Sequence, residues 1–269
     1  CAYRLRISEP QPDFALRVTP STINIPAGRS ALLTVHAIRK EGFTGEIEVL
    51  VNGPRYIGGD QTLQPVVRLD GGNIPAGCER VRMTLTASGD PSALPATLQF
   101  EGRALIAGKS IVHPAFPAED MMQAFAYRHL VPCQEQMMMI RGGKGAAALV
   151  EIIDPIPVKI PVGGTAQVHF KVPKNPRLKH AKLELSEPPN GITLEAAIPS
   201  PASLVLTLKA DAANARPGFA DNLIVEASIE TEVGNQGKKA AQKPDGAPPK
   251  KQLVPVGVLP AIPIEIVAP

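Results

Sequence analysis

Ile23-Asn24-Ile25-Pro26-Ala27-Gly28 returns later in the chain as Val158-Lys159-Ile160-Pro161-Val162-Gly163, and each copy leads into a further apolar alternation, Leu33-Thr34-Val35 in one case and Val168-His169-Phe170 in the other. Apolar side chains two positions apart are the mark of a half-buried strand, and the Pro and Gly that follow punctuate its end. The correspondence continues in the same order. Met83-Thr84-Leu85-Thr86-Ala87 is answered by Leu206-Thr207-Leu208-Lys209-Ala210, and Leu98-Gln99-Phe100-Glu101 by Leu223-Ile224-Val225-Glu226. Leu130-Val131-Pro132 and Leu253-Val254-Pro255 then precede the closing strands Met137-Met138-Met139-Ile140 and Ile262-Pro263-Ile264-Glu265-Ile266-Val267. A repeated succession of elements implies a repeated fold.

Outward from these strings, further short alternations are bounded by Gly, Pro, Asn or Asp: Phe14 to Val18, Ala31 to Ile38, Glu46 to Val51, Pro65 to Leu69, Arg80 to Thr86 and Thr97 to Ala104. Their spacing suits a sandwich, with Leu33, Val35, Ile47, Val49, Leu85, Leu98 and Phe100 directed inward. The chain therefore reads as all-β, with two tandem immunoglobulin-like β-sandwich domains at residues 12–143 and 144–269. Gly142-Gly143-Lys144-Gly145 marks the joint between them. Residues 1–11, through Tyr3-Arg4-Leu5-Arg6-Ile7, have the look of the C-terminal strand of a missing upstream β domain. Two long excursions separate the last strands of each unit, at 104–130 and 229–252, and loops of that length are commonly functional or mobile. In the first, Pro117 to His129 suits either one short helix, with Met122, Phe125 and His129 near one face, or a loop packed flat on the sandwich.

Composition agrees with a folded chain. Its 269 residues are 44% apolar and 20% charged, and 29 Pro and 23 Gly against 4% aromatics favour many short strands over long helices. The net charge of +3 is concentrated in Lys238, Lys239, Lys243, Lys250 and Lys251. A nucleic-acid binder would spread its cations over a face and interleave stacking aromatics, so nucleic acid is not an expected partner. No apolar run approaches the roughly 20 residues of a membrane span. Three cysteines, Cys1, Cys78 and Cys133, allow at most one bridge; Cys78 with Cys133 is the candidate pair, and buried free thiols are the competing reading.

Several strings resemble the immunoglobulin-like region that follows a pre-peptidase C-terminal domain in a group of large secreted bacterial proteins. They are Tyr3 to Ile7, Pro12-Asp13-Phe14, the Arg39 to Phe43 turn, Pro117 to Leu130, and Leu259-Pro260-Ala261-Ile262-Pro263. The resemblance implies export to a secreted, periplasmic or cell-surface location, a stack of β domains, and an upstream β domain ending near residue 10. It brings no catalytic residues, and Cys78 and Cys133 are not part of it.

The usual chemical signatures are missing from the string. There is no Gly-x-Ser-x-Gly elbow, and Gly142-Gly143-Lys144-Gly145 lacks the spacing and the following hydroxyl of a phosphate loop. His129 stands four residues before Cys133, with His113 the nearest third ligand, but Pro132 interrupts any helix that would align the first two. Asp211, Asp221 and Asn222 supply oxygen atoms for calcium without its tight spacing, and read better as turn residues. Glu119 and Asp120 suit the first turn of the short helix rather than an acid–base pair. Tyr56, between Pro54 and Gly58-Gly59, is the aromatic best placed for a ligand contact. The expectation is a non-catalytic structural or interaction module, not an enzyme and without cofactor. Its partners would be neighbouring domains of the same polypeptide, or a cell-surface protein or glycan. An extracellular carbohydrate-binding module using Tyr56 and a metal-dependent hydrolase built near His129 are the alternatives.

Overall fold

The computed structural model describes residues 9–57, 63–87, 95–122, 127–142, 150–172, 181–232 and 251–269, with the backbone alone at 56–57, 63–65, 232 and 251. Within them every regular element is a strand. The first half contains β1 (Asp13–Thr19), β2 (Thr22–Pro26), β3 (Ser30–Lys40), β4 (Ile47–Asn52), β5 (Arg55–Ile57), β6 (Leu63–Pro65) and β7 (Val67–Asp70), then β8 (Asn73–Ile74), β9 (Arg80–Ala87), β10 (Ala96–Ile106), β11 (Lys109–Met122), β12 (Arg128–Pro132) and β13 (Gln136–Arg141). The second half contains β14 (Glu151–Ile152), β15 (Val158–Pro161), β16 (Thr165–Lys171), β17 (Ala181–Ser186), β18 (Ile192–Pro199), β19 (Ser203–Ala210), β20 (Ala220–Glu232), β21 (Lys251–Val258) and β22 (Ile262–Val267). Among the described residues no helix is long and apolar enough to cross a membrane.

Pairing follows the alternation. In the first half β1, β3, β9 and β7 lie side by side, all antiparallel. Opposite them β2 runs parallel to β13, which pairs with β10, which pairs with β4. The second half has β14, β16, β19 and β18 in one layer, and β15 parallel to β22, then β20 and β17, in the other. Side chains that face inward between these layers form two apolar clusters. Phe14, Leu33, Val35, Ile47, Leu85, Leu98 and Phe100 belong to one; Ile160, Val168, Phe170, Leu206, Leu208, Leu223 and Ile264 belong to the other. All seven inward positions read from alternation in the first half are buried. At the crossing of β10 with β1 the core leaves room for a hydrogen alone: a Cβ on Gly102 would lie 2.3 Å from Leu16 Cδ1 and 3.1 Å from Ile47 Cγ2.

The excursion at 104–130 is neither a helix nor a loop laid flat. Ala107 and Gly108, both at positive φ, turn β10 tightly into β11. Such two-residue turns match the natural twist of a hairpin. Strand β11 then runs beside β10 and parallel to β1, and folds back onto β12 with Glu119 opposite Val131 and Met121 opposite His129. The helical reading of Pro117 to His129 fails because the backbone groups of residues 118–122 find partners across the hairpin, and tertiary pairing outweighs a weak helical period. Residues 123–126, and 143–149 containing most of the glycine-rich joint, lie outside the described residues. So do residues 1–8, which carry the strand assigned to an upstream domain.

Gly102→Ala is expected to lower the unfolding free energy by about 1–3 kcal/mol through overpacking. Phe170→Ala, which removes a fully buried ring, should cost about 3–5 kcal/mol. Urea denaturation of each variant checks both values.

Candidate functional site

The two halves meet along a seam made of polar bonds. Val258 at the end of β21 pairs with Ser30 at the start of β3, which joins the sheets of the two halves into one hydrogen-bonded path. Beside it the Arg29 guanidinium donates to Val256 O. Thr84 and Thr86 point away from the first core, and both are buried. Thr84 Oγ1 accepts from Ala261 N at 2.8 Å, and Thr86 Oγ1 lies 2.8 Å from Ser30 Oγ. Deeper in the seam, Asn222 on β20 is 4% exposed. Its Nδ2 donates to Gly71 O at 2.8 Å and to Arg82 O at 2.9 Å. One amide of the second half thus bonds two carbonyls of the first, and its own burial without an acceptor would be costly. Gly71 permits the approach, since its φ is +78° and a Cβ there would stand 2.4 Å from that same Nδ2.

Two arginines fasten the flanks. Arg82 of β9 donates to Ser186 O at the end of β17 and to Glu187 O just beyond it, the latter at 3.0 Å, with the Glu187 carboxylate 3.6 Å away. Arg68 of β7 bonds Asp70 at 2.8 Å on its own strand and reaches Glu151 at 3.3 Å and Val150 O at 3.2 Å in the second half.

Between these fastenings lies an open cleft of about 1220 Å³. Glu46, Glu48 and Asp70 line it from the first half, and Glu151, Asp154, Asp221 and Glu265 from the second; Arg68 is the one cationic side chain in the described lining. Burial pushes the Asp70 carboxyl above its ordinary value, although Arg68 and the Thr86 hydroxyl, bonded at 2.6 Å, pull the other way. Burial raises Asp221 likewise, against its bond from Asn222 N and the charges of Arg82 and Arg80. The Cys78 thiol in the same wall is raised by burial and then by Asp221. A thiol held protonated is a poor nucleophile and a poor metal ligand.

The other residues singled out from the sequence are dispersed. His113 Nε2 bonds Asp13 at 2.7 Å, while His129 stands opposite Met121, eight positions further along β11 and so about 26 Å away at ~3.3 Å per residue. Cys133 Sγ donates weakly to Val131 O at 3.8 Å. Cys78 and Cys133 are both free thiols. Asp211 Oδ1 accepts from Ala213 N and Asn214 N, closing a turn as expected, whereas Asp221 lies in the cleft wall. Glu119 accepts from Ser21 N and Oγ, and Asp120 pairs with Arg128 at 3.0 Å; both carboxylates serve the strand pairing instead of a helix start. His36 bonds Thr19 Oγ1 at 3.4 Å and His169 bonds Asp154 at 3.0 Å. Tyr56 stands in β5, and its side chain, like His180 and Lys238 to Lys250, lies outside the described residues. Among the described residues no three His, Cys, Asp or Glu side chains are grouped so as to hold a metal ion.

Sequence reading passed over Gly71, Arg68 and Arg82, and took Asn222 for a turn residue. The available signal was an Asn beside an Asp inside an otherwise apolar strand, Ala220-Asp221-Asn222-Leu223-Ile224-Val225. Buried amides in such places are normally bonded to something distant. The fold and the seam together define an all-β chain of two apolar cores joined by hydrogen bonds. No family model matches the chain, and no curated protein matches it.

Asn222→Ala should lower stability by about 1–3 kcal/mol through the loss of two hydrogen bonds across the seam, Gly71 O keeping its bond from Asn73 N. Gly71→Ala should be worse than Gly77→Ala, because both glycines hold positive φ while a Cβ at Gly77 meets nothing within 4 Å. Thermal denaturation of the three variants side by side checks the ranking.

Proposed function

We propose that this chain is a pair of immunoglobulin-like sandwich modules acting as a non-catalytic spacer and interaction element within a larger secreted bacterial protein. The strand order supports the fold assignment. Labelled in the manner of that fold, β1-β3-β9-β7 and β14-β16-β19-β18 both follow the order A-B-E-D, and β13-β10-β4 and β22-β20-β17 both follow G-F-C. Strands β2 and β15 add an early strand parallel to the last one in each half.

The observation that carries the spacer role is the seam. A flexible tether between two sandwiches would leave their facing ends solvated, whereas here Asn222, Thr84, Arg82, Arg68 and Arg29 each bond across the junction. Several independent bonds acting at once set a fixed angle between two bodies, which is what a spacer contributes to the domains on either side.

A carbohydrate-binding module using Tyr56 is the alternative, and one assay separates the two. A spacer should show a thermal shift below about 1 °C with simple sugars or calcium at millimolar concentration, because a ligand that binds the native state raises its apparent stability. A shift of several degrees that disappears in Tyr56→Ala would favour the carbohydrate module. Small-angle scattering should return one elongated particle whose dimensions do not broaden on moderate warming; scattering typical of two bodies moving independently would refute the spacer.

A further inference from the structure

We infer that the acidic cleft makes the junction a pH-responsive joint, in which the two halves are held more tightly in mild acid than at neutral pH. The inference rests on the spacer reading, since a joint matters only between two bodies that the seam holds together.

The geometry begins with charge of one sign on both walls. Three carboxylates of the first half face four of the second, with Arg68 the one described cation among them. Glu48 pairs with Arg103 at 3.6 Å, and Asp154 is hydrogen-bonded to the His169 ring at 3.0 Å. Asp221 has Arg80 and Arg82 facing it, while Asp70 at 2.8 Å and Glu151 at 3.3 Å share the single guanidinium of Arg68. One guanidinium cannot cancel two carboxylates, so a residual repulsion acts across the junction whenever both are ionised.

Two of the carboxyls sit at the hydrogen-bonded floor of the cleft and not on its rim. Asp70 shares the Thr86 hydroxyl that also contacts Ser30, the residue paired with Val258 of the second half. Around it stand Arg68 and Thr86 from β7 and β9, and Glu151 from β14. Asp221 immediately precedes Asn222, whose amide clamps Gly71 and Arg82. Arg80 and Arg82 of β9 and the Cys78 thiol face it from the first half. Among the described residues, the one hydrogen bond its carboxylate accepts is from its neighbour Asn222 N, at 2.7 Å. Burial outweighs the stabilisation that this bond and the two guanidinium groups give the Asp221 charge.

The direction follows from linkage. Both carboxyls have raised values in the closed junction, with burial the leading cause for each. The closed form therefore binds protons more readily than the open form, in which the same groups are solvated near their ordinary value. The penalty is fully present above the raised values, and it disappears as pH falls through them towards the ordinary carboxylate range. Acidification across that window favours the closed joint. The carboxyl of Asp13, held below its ordinary value despite burial by its bonds to His113 and Phe14 N and by Lys40, works in the opposite sense, but it lies on β1 away from the cleft.

The test is a distance measurement between a spin label at Lys109, in the first half, and one at Thr193, in the second, on the full chain with Cys1, Cys78 and Cys133 changed to Ser. Wild-type side chains in the cleft should give a distance distribution that narrows as pH is lowered from about 7.5 to about 4, the ordinary carboxylate range. The isosteric double variant Asp70→Asn with Asp221→Asn should give the narrow distribution at both values. A wild-type distribution that is narrow and unchanged with pH overturns the joint while leaving the spacer intact. A broad distribution at both values overturns the spacer reading itself. Full pH dependence retained in the double variant would remove these two carboxyls from the mechanism and overturn the inference as stated.

Discussion

Each half holds its core shut by laying an early strand parallel to its last one, β2 along β13 and β15 along β22. These pairs join residues more than a hundred positions apart, so the order they impose is set against the entropy of closing a very long loop. What offsets that cost is the apolar burial completed when the last strand arrives: Ile23 and Ile25 meet Met138 and Ile140 in one half, and Val158 and Ile160 meet Ile264 and Ile266 in the other. Until then each layer exposes one apolar face to water. The rest of the structure depends on this closure, because β10 and β20, which build the junction and the first hairpin, are held in place by the strands that close.

The seam has a different physical character from the cores it joins. Its buried groups are hydroxyls, one amide and backbone carbonyls, and each is matched to a named partner at 2.8 to 2.9 Å. An apolar junction of the same size would tolerate sliding, since dispersion has no preferred direction. Hydrogen bonds do have one, and a displaced seam would leave the Asn222 Nδ2 and Ala261 N donors unpaired in a buried setting. Fixity at the junction is thus bought with polar burial. The cost is visible in the same place, where bringing the two walls together gathers carboxylates that would otherwise be solvated, and raises the proton affinity of those that sit deepest.

A comparison of particular strands explains which parts of this were legible beforehand. Leu33, Val35, Ile47, Val49, Leu85, Leu98 and Phe100 were legible as core because alternation is a local property and one buried face enforces it. Strand β11 was not, since Pro114 and Pro117 argue against an inner strand and its pairing with β1 is parallel and remote. The turn at Ala107-Gly108 is short and has a glycine, yet Ala107 at positive φ is a poor announcement of it. Glu119 and Asp120 suit a helix start from their neighbours alone, although their partners are Ser21, just before β2, and Arg128 of β12.

By itself, then, the sequence determined the class of structure: short alternating strands, a recurring order of apolar strings, and cores drawn from the inward positions. Those follow from the two-residue period of a strand, which needs no knowledge of what lies opposite. The junction was decided by tertiary structure alone. Nothing local distinguishes Asn222 from a turn residue, or Gly71 from any other glycine, and their roles exist because folding brings β20 against the turn between β7 and β8. The same holds for Asp70 and Asp221, whose shared property of facing one cleft from two directions is a consequence of where the chain ends up, and burial with charge, not residue type, gives them their behaviour.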